Sequence, residues 1–473
     1  MKKFELKEKV FKDLSKTADK LGLPCYVVGG YVRDLILGRP NDDIDIVVVG
    51  SGIKMAEAFA EEIGSKNITT YKNFGTAKVD YHGLEVEFVG ARKESYTRGS
   101  RKPIVEDGTL EDDQIRRDFT INAMAICLNS SSFGTLVDPF NGVRDIERKL
   151  IVTPTDPRIT FSDDPLRMLR CIRFAVKLGF EIHESTLEAI HNNCARLEII
   201  SPERITGELD KILMSPDPCR GIRLLHTTGL LHYILPEVEA LNMCDDEPGR
   251  HKDNFEHTLD VLRGISEKNS GLWLRYAALL HDIGKEPTKK YDPLTDTWTF
   301  YDHEHVGARM VGDIFKRLKL PLGDREMKSV QKLVDMHMRP SMCSCAEITD
   351  SAVRRLLFDA GPDIDDLLLL CRSDLSTKNQ VKKEKILRHF DILEIMIEDL
   401  KKRDQVRLFQ PVIKGDEIME MFGLAPGKMV GILKQYIKDL VLDGEVENER
   451  EVLKEKLIWK AKELGIYEKE IKA

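Results

Sequence analysis

The feature that most restricts this chain is a glycine pair followed twelve residues later by alternating aspartates: Gly29-Gly30, then Asp43-Ile44-Asp45-Ile46. The residues before the glycines (CYVV, 25–28) have strand composition, 31–38 suit a short helix, and 42–49 (DDIDIVVV) read as a second strand. Residues two apart in a strand project to the same side. Asp43 and Asp45 are therefore expected on one face, with Ile44 and Ile46 packed behind them. Two adjacent carboxylates repel each other unless a cation neutralises them, and hard oxygen ligands suit Mg²⁺, which also binds nucleotide phosphates. Gly29 and Gly30 would let backbone N–H groups approach a triphosphate closely. An isolated Asp-x-Asp on an exposed strand is usually plain surface. The preceding strand, the glycine turn and the Arg33-Asp34 pair argue for a site here.

At 473 residues the chain is too long for one ordinary core. Apolar spacing predicts a helix over 4–22 and another over 53–64. A hairpin is expected from 76–80 and 84–89, turning at His82-Gly83. Strand signals nearly vanish after about residue 160, and 165–176 opens a long helical run. Residues 248–252 read as a linker, and a charged stretch at 381–407 precedes the last helices. The expected fold class is α+β multidomain, with a mixed-sheet head over 1–150 and a helical neck and body over 151–247. A helical, histidine-containing module over 248–378 and a helical tail over 379–473 complete it.

Composition excludes some classes. There is no apolar run long enough for a membrane span, and the charged start lacks a secretory apolar stretch. Nine scattered cysteines, with Cys343 and Cys345 the only close pair, form no CxxC motif, so free thiols in a reducing cytoplasm are expected. The net charge of −8 does not advertise nucleic-acid binding, yet Lys and Arg number 72 and cluster locally, as in 92–102.

The run from Gly29 to Ile46 closely resembles the signature of class II, bacterial-type CCA-adding enzymes and their poly(A) polymerase relatives, in the polymerase β-like nucleotidyltransferase superfamily. Three further segments resemble the family's later motifs in order: 116–125 (RRDFTINAMA), 136–146 (LVDPFNGVRDI) and 163–175 (DDPLRMLRCIRFA). Residues 415–431 resemble its C-terminal segment, and 92–113 its mobile loop. The resemblance implies a polymerase β-like head that adds CCA to the 3′ end of tRNA from CTP and ATP, with Mg²⁺ and release of pyrophosphate. A poly(A) polymerase, or an enzyme adding only CC or only A, stays open beside it. Asp43 and Asp45 would be the metal-binding catalytic pair. Glu87 falls where a third carboxylate often stands, although relatives vary there. Gly29, Gly30, Arg33, Asp34, Arg117, Asp118 and Asn122 would neighbour the nucleotide.

The 163–175 motif permits a physical argument for nucleotide choice. Asp164 and Arg167, three apart, are expected to share a helix face that Arg170 extends, opposite a buried stripe of Leu166, Leu169 and Ile172. Cytosine and adenine each present an amino donor beside a ring-nitrogen acceptor; guanine and uracil present the reverse. An acceptor (Asp164) beside a donor (Arg167) fits C and A, and a mismatched edge costs about 1–3 kcal/mol per unpaired group. Arg173 lies one turn further on. The family commonly opens this motif with Glu-Asp; here it is Asp163-Asp164.

A second constellation comprises His257, His281-Asp282, His303, His305, His337 and Asp374. It resembles the HD superfamily of metal-dependent phosphohydrolases. His257, His281, Asp282 and Asp374 match the core ligands. His305 and His337 match the further ligands of two-metal members, a match that His303 makes less closely. Imidazole plus carboxylate suits a divalent transition metal or Mg²⁺, and such a site could direct water at a phosphoester. A principally hydrolytic HD enzyme acting on RNA ends is the alternative reading from another class.

Overall fold

The computed structural model describes residues 2–72, 75–95, 104–242, 254–268, 270–323, 325–340, 349–375, 380–403 and 411–466. The expected linker at 248–252 and the Cys343/Cys345 pair lie outside them. The chain divides into two compact units, Met1–Pro236 and Glu237–Ala473. No helix among the described residues is long and apolar enough to cross a membrane.

The first unit begins with α1 (Lys9–Leu21), β1 (Cys25–Val28), α2 (Gly30–Leu37), β2 (Ile44–Val48), α3 (Gly52–Ile63) and β3 (Ile68–Tyr71). It continues with β4 (Thr76–Tyr81), β5 (Leu84–Gly90), β6 (Arg92–Ser95), β7 (Ile104–Asp107), α4 (Leu110–Ile115), β8 (Ala125–Cys127) and β9 (Leu136–Val137). Seven strands form one sheet in the order β3-β4-β5-β2-β1-β8-β9. Only β2 and β5 run parallel, and the expected β4–β5 hairpin is antiparallel. The first helix is shorter than its pattern, because residues 2–4 pair with the β8–β9 turn: Phe4 N–H donates to Gly134 O, and Leu136 N–H to Lys2 O. Val10, Phe11, Leu14 and Ala18 still form its buried stripe. Phe59 of α3 packs 5.5 Å from Phe88 and 5.9 Å from Tyr81, ring centre to ring centre, which fixes α3 on the sheet.

After α5 (Gly142–Arg148), β10 (Leu150–Ile151) pairs with β11 (Glu181–Ile182) across α6 (Pro157–Asp163) and α7 (Leu166–Leu178). Then come α8 (Glu184–Asn193), α9 (Pro202–Leu213), α10 (Pro218–Thr227), α11 (Leu230–Ile234) and α12 (Pro236–Glu239). Gly221 on α10 lets that helix approach α9: a Cβ there would sit 2.4 Å from Ile212 Cγ2.

The second unit holds α13 (Asn254–Ser266), α14 (Leu272–Leu280), α15 (Lys285–Thr288), a hairpin of β12 (Lys290–Asp292) and β13 (Thr297–Thr299), α16 (His303–Leu318) and α17 (Arg325–Met336). Next are α18 (Asp350–Ala360), α19 (Ile364–Ser373), α20 (Gln380–Arg403), α21 (Gly415–Phe422), α22 (Lys428–Leu442) and α23 (Arg450–Glu463). The division expected at 378/379 does not coincide with a break in packing. Arg372 of α19 pairs with Asp391 (2.7 Å) and Glu394 (2.8 Å) of α20, whose Phe390 and Leu393 are fully buried. The last three helices enclose their own apolar cluster around Ile418, Leu433, Ile437, Leu453 and Leu457.

Candidate active sites

In the first unit, β1 is followed by Gly29, whose φ of +73° L side chains rarely adopt. A Cβ there would also lie 3.1 Å from Arg117 Nη1 and 3.4 Å from Asp45 Oδ2, so glycine keeps this corner open. Central strand β2 holds Asp45 between Val28 of β1 and Glu87 of β5. Asp43 precedes β2 rather than lying in it, its N–H donating to Asn41 Oδ1 (2.8 Å). Both carboxylates nonetheless line one cavity of about 660 Å³, together with Gly29, Gly30, Arg33, Asp34, Arg117, Asp118 and Asn122. Burial, then Asp43, raise the Asp45 carboxyl from 3.8 to about 6. A paired, partly desolvated carboxylate of this kind fits a hard divalent ion. Glu87 stands opposite Asp45 in the ladder, 3.6 Å from Lys78 Nζ.

A continuous buried network fixes the cavity wall. Asp34 grips Arg33 through two 2.8 Å bonds and accepts from Asn41 Nδ2 (2.7 Å). Arg33 Nη1 donates to Asn122 Oδ1 (2.7 Å), Asn122 Nδ2 to Asp118 Oδ1 (3.0 Å), and Arg170 Nε to Asp118 Oδ2 (2.8 Å). Burial opposes the charge on Asp118, but Arg170 holds its carboxyl below the usual value. Phe174 is the hub: the guanidiniums of Arg173, Arg33 and Arg170 lie 4.2, 5.2 and 5.4 Å from its ring centre. Nine Arg and Lys against five Asp line the cavity, an excess of positive charge suited to a polyphosphate.

The expected common helix face for Asp164 and Arg167 does not form. Asp164 lies past the end of α6 with extended backbone, and its Oδ1 accepts the Leu166 N–H at 3.2 Å, because Pro165 interrupts the helix before α7 starts. Both side chains still reach the cavity. Arg167 Nη2 donates to Arg116 O (2.6 Å), and Arg204 of α9 lies 3.4 Å from Asp164. Leu166, Leu169 and Ile172 are buried as the pattern predicts. Arg173 is ion-paired with buried Glu208 at 2.6 Å. Sequence reasoning missed Asn41, Asp113, Phe174, Arg204 and Lys211. Arg204 and Lys211 sit two turns apart on an otherwise ordinary amphipathic helix, so no local signal marks them.

In the second unit, α13, α14, α16, α17 and the end of α19 converge on a buried cluster. His257 Nε2 lies 2.8 Å from Asp374 Oδ1 and 3.6 Å from Asp282 Oδ2, and His281 Nε2 lies 3.2 Å from Asp282 Oδ2. Two ligand triads share Asp282: His257-His281-Asp282 and Asp282-His303-His337. Three of the imidazoles are set alike. Nδ1 of His281, His303 and His337 each lies 2.7–2.9 Å from the carbonyl three residues back, at Ala278, Phe300 and Val334. That bond places the proton on Nδ1 and turns the Nε2 lone pair inward. Nε2 of His281 is buried without a hydrogen-bond partner. An orphaned imidazole nitrogen among carboxylates fits a divalent metal. Without a metal, burial opposes a charge on His281, yet Asp282 and Asp374 raise it to about 10, a proton that a metal at Nε2 would replace; burial, then His281, drive His337 down to about 4. His305 is the correction: its side chain is half exposed and paired with Asp335 at 2.6 Å, and His303 takes the inner position.

A mixed sheet presenting paired aspartates to a basic cavity, and a buried His/Asp cluster held on helices, thus coexist in one chain. Three family descriptions match it: the Poly A polymerase head domain over 25–152, a probable RNA and SrmB-binding site of polymerase A over 179–241, and the HD domain over 254–396. The chain is 30% identical over 432 residues to an A-adding tRNA nucleotidyltransferase of Deinococcus radiodurans, covering 90% of this chain and 93% of that one. A protein of the same description from Geobacter sulfurreducens is 40% identical over 232 residues, 48% of this chain, and the match spans only 26% of that relative's length. A Multifunctional CCA protein of Halorhodospira halophila is 35% identical over 66% of this chain and 73% of its own. A solved tRNA nucleotidyltransferase complexed with a primer tRNA and an incoming ATP analog matches with a TM-score of 0.57 at 25% identity, covering 81% of this chain and 98% of that one. The chain belongs to the class II CCA-adding and poly(A) polymerase family, in the form that carries an HD domain.

Proposed function

We propose that this chain adds nucleotides to the 3′ end of tRNA, building CCA from CTP and ATP. The carrying observation is the single cavity in which Asp43 and Asp45 face Arg33, Arg117 and Arg170, with Asp164 and Arg167 in the same wall. In the reaction the tRNA 3′-oxygen bonds to the α-phosphorus as the bond to the β-phosphate oxygen breaks and pyrophosphate leaves. Asp43 and Asp45 would hold Mg²⁺, which lowers the charge barrier at the reacting phosphate. Arg33 and Arg117 bind the triphosphate, and Asp164 with Arg167 reads the base edge. The tRNA is held by shape and phosphate contacts, so binding weakens as salt rises.

A second reading, addition of A alone, is supported by two relatives described as A-adding. Transcripts of one tRNA ending before, within and after CC, given each nucleoside triphosphate alone and mixed, separate the readings. C, C, A and a stop supports full addition. A only on the CC-ended substrate replaces it with the second reading, and no incorporation overturns both. An Asp164→Ala variant with unchanged nucleotide preference would remove the base-reading role.

The His/Asp cluster would hold one or two divalent metals through His257, His281, Asp282, Asp374, His303 and His337. It would hydrolyse a phosphoester: a bond from water oxygen to phosphorus forms as an ester P–O bond breaks.

A further inference from the structure

The connection between the two metal triads is a hairpin bearing aromatic rings. Asp282 belongs to both triads and His303 to the second, and residues 285–302 make the excursion between them. Its two ends are pinned at the cluster. Lys285 Nζ donates to Asp282 Oδ2 (2.6 Å) and lies 6.0 Å from the Phe300 ring centre, and the Phe300 carbonyl accepts from His303 Nδ1. Gly284 lets the outgoing chain touch the returning one: a Cβ there would lie 2.0 Å from His303 O. Whatever rests on the hairpin is thereby tethered beside the cluster.

Tyr291 and Trp298 stand directly opposite each other in the β12–β13 ladder, rings 5.4 Å apart and edge to face. The ammonium of Lys289 covers the Trp298 ring at 4.4 Å. The Tyr291 hydroxyl is tied to Asp296 Oδ1 (2.7 Å), which holds its ring in place while 51% of the residue stays open to solvent. Tyr301, two residues before His303, is 78% exposed. Exposed, pre-oriented rings interleaved with lysines suit a planar base joined to an anion, since a base gains from an aromatic face whatever its identity. A protein-docking face would be wider and more continuously apolar. Here the segment between Tyr291 and Trp298 carries Asp292, Thr295, Asp296 and Thr297, with Leu294 the one large exposed aliphatic side chain in it.

We propose that the β12–β13 hairpin with Tyr301 is a nucleobase platform for the HD site, selecting phosphoesters that carry a base, such as a nucleotide or RNA end. This rests on reading the cluster as hydrolytic, and the test separates the two. The full-length, Mn²⁺-loaded protein and its Tyr291→Ala and Tyr301→Ala variants are assayed on adenosine 2′,3′-cyclic monophosphate and on ethylene phosphate, a cyclic ester with no base. In each, water adds to phosphorus and one ring P–O bond opens. The expected result is a fall of about tenfold in kcat/KM on the nucleotide, carried by KM, with ethylene phosphate unchanged. Unchanged nucleotide hydrolysis in both variants, or an equal fall on both substrates, overturns the platform. Should the wild type open neither ester, the hydrolytic reading fails by itself. Calorimetric titration with the nucleotide then decides: binding that weakens in both variants upholds the platform, and no binding or equal binding overturns it.

Discussion

Asp113 is fully buried, and its two carboxylate oxygens hold two consecutive arginines. Oδ1 accepts from Arg116 Nε at 3.0 Å, and Oδ2 pairs with Arg117 Nη2 at 3.0 Å. Burial works against this charge, but Arg117 and Arg116 keep the carboxyl below its usual value. Arg117 lines the cavity beside Gly29, and the Arg116 carbonyl receives Arg167. Asp113→Asn is expected to destabilise the protein by about 3 kcal/mol, since it removes a buried carboxylate charge that two guanidiniums share. Urea unfolding reads this directly, and an unchanged midpoint would remove Asp113 from the framework.

Replacing Asp43 or Asp45 with Ala is expected to lower nucleotide incorporation by about 10³-fold or more, because the pair would hold the Mg²⁺ that stabilises charge at the reacting phosphate, whereas Asp34 and Asp118 are bonded to Arg33 and Arg170. Affinity for tRNA, measured by filter binding, should persist. Near-normal incorporation by either variant contradicts the assigned chemistry.

Gly29→Ala introduces a Cβ at φ +73° and 3.1 Å from Arg117 Nη1. The backbone strain alone costs about 1–2 kcal/mol, and displacement of Arg117 should raise KM for the nucleoside triphosphate. A variant with wild-type KM and thermal stability would show that the corner relaxes freely.

His303→Ala and His305→Ala should behave oppositely. The first removes a ligand from the inner triad and should reduce bound metal after dialysis, as read by elemental analysis. The second breaks only an ion pair at the surface, and exposed pairs contribute about 1 kcal/mol or less. Metal loss in the His305 variant alone would reverse the assignment.

Asp118 predicts a pH effect. Its folded pKa lies below the ordinary 3.8, so the stability it lends is fully present above that value and is lost as pH falls through the folded pKa. The Tm gap between the wild type and Asp118→Asn should therefore narrow as pH drops below about 4. A constant gap across that range would mean that the Arg170 pairing adds no charge-dependent stability.

Much was legible in the chain itself because it depends on near neighbours. The turn at Gly29, the burial of Ile44 and Ile46 beneath Asp45, the β4–β5 hairpin and the stripe of α7 all follow from short-range periodicity and steric demand. The residue types of the His/Asp cluster were legible through the resemblance of His257, His281-Asp282, His337 and Asp374 to the HD superfamily. The tertiary structure decided what periodicity cannot: the phase of each element against distant partners. His303 and His305 lie two residues apart on α16, about 200° around its axis, so only one can face Asp282. Packing against Phe300 and His337 selects His303 and leaves His305 to Asp335. Asp164 left the helix because Pro165 ends the pattern before it, yet α9 returns Arg204 to it. Asp113 and Phe174 hold five arginines: Arg116, Arg117, Arg170 and Arg173 are near neighbours of one or the other in sequence, but Arg33 reaches the Phe174 ring, and Arg167 the Arg116 carbonyl, only once separate segments meet, and that meeting is a property of the fold rather than of any stretch of sequence.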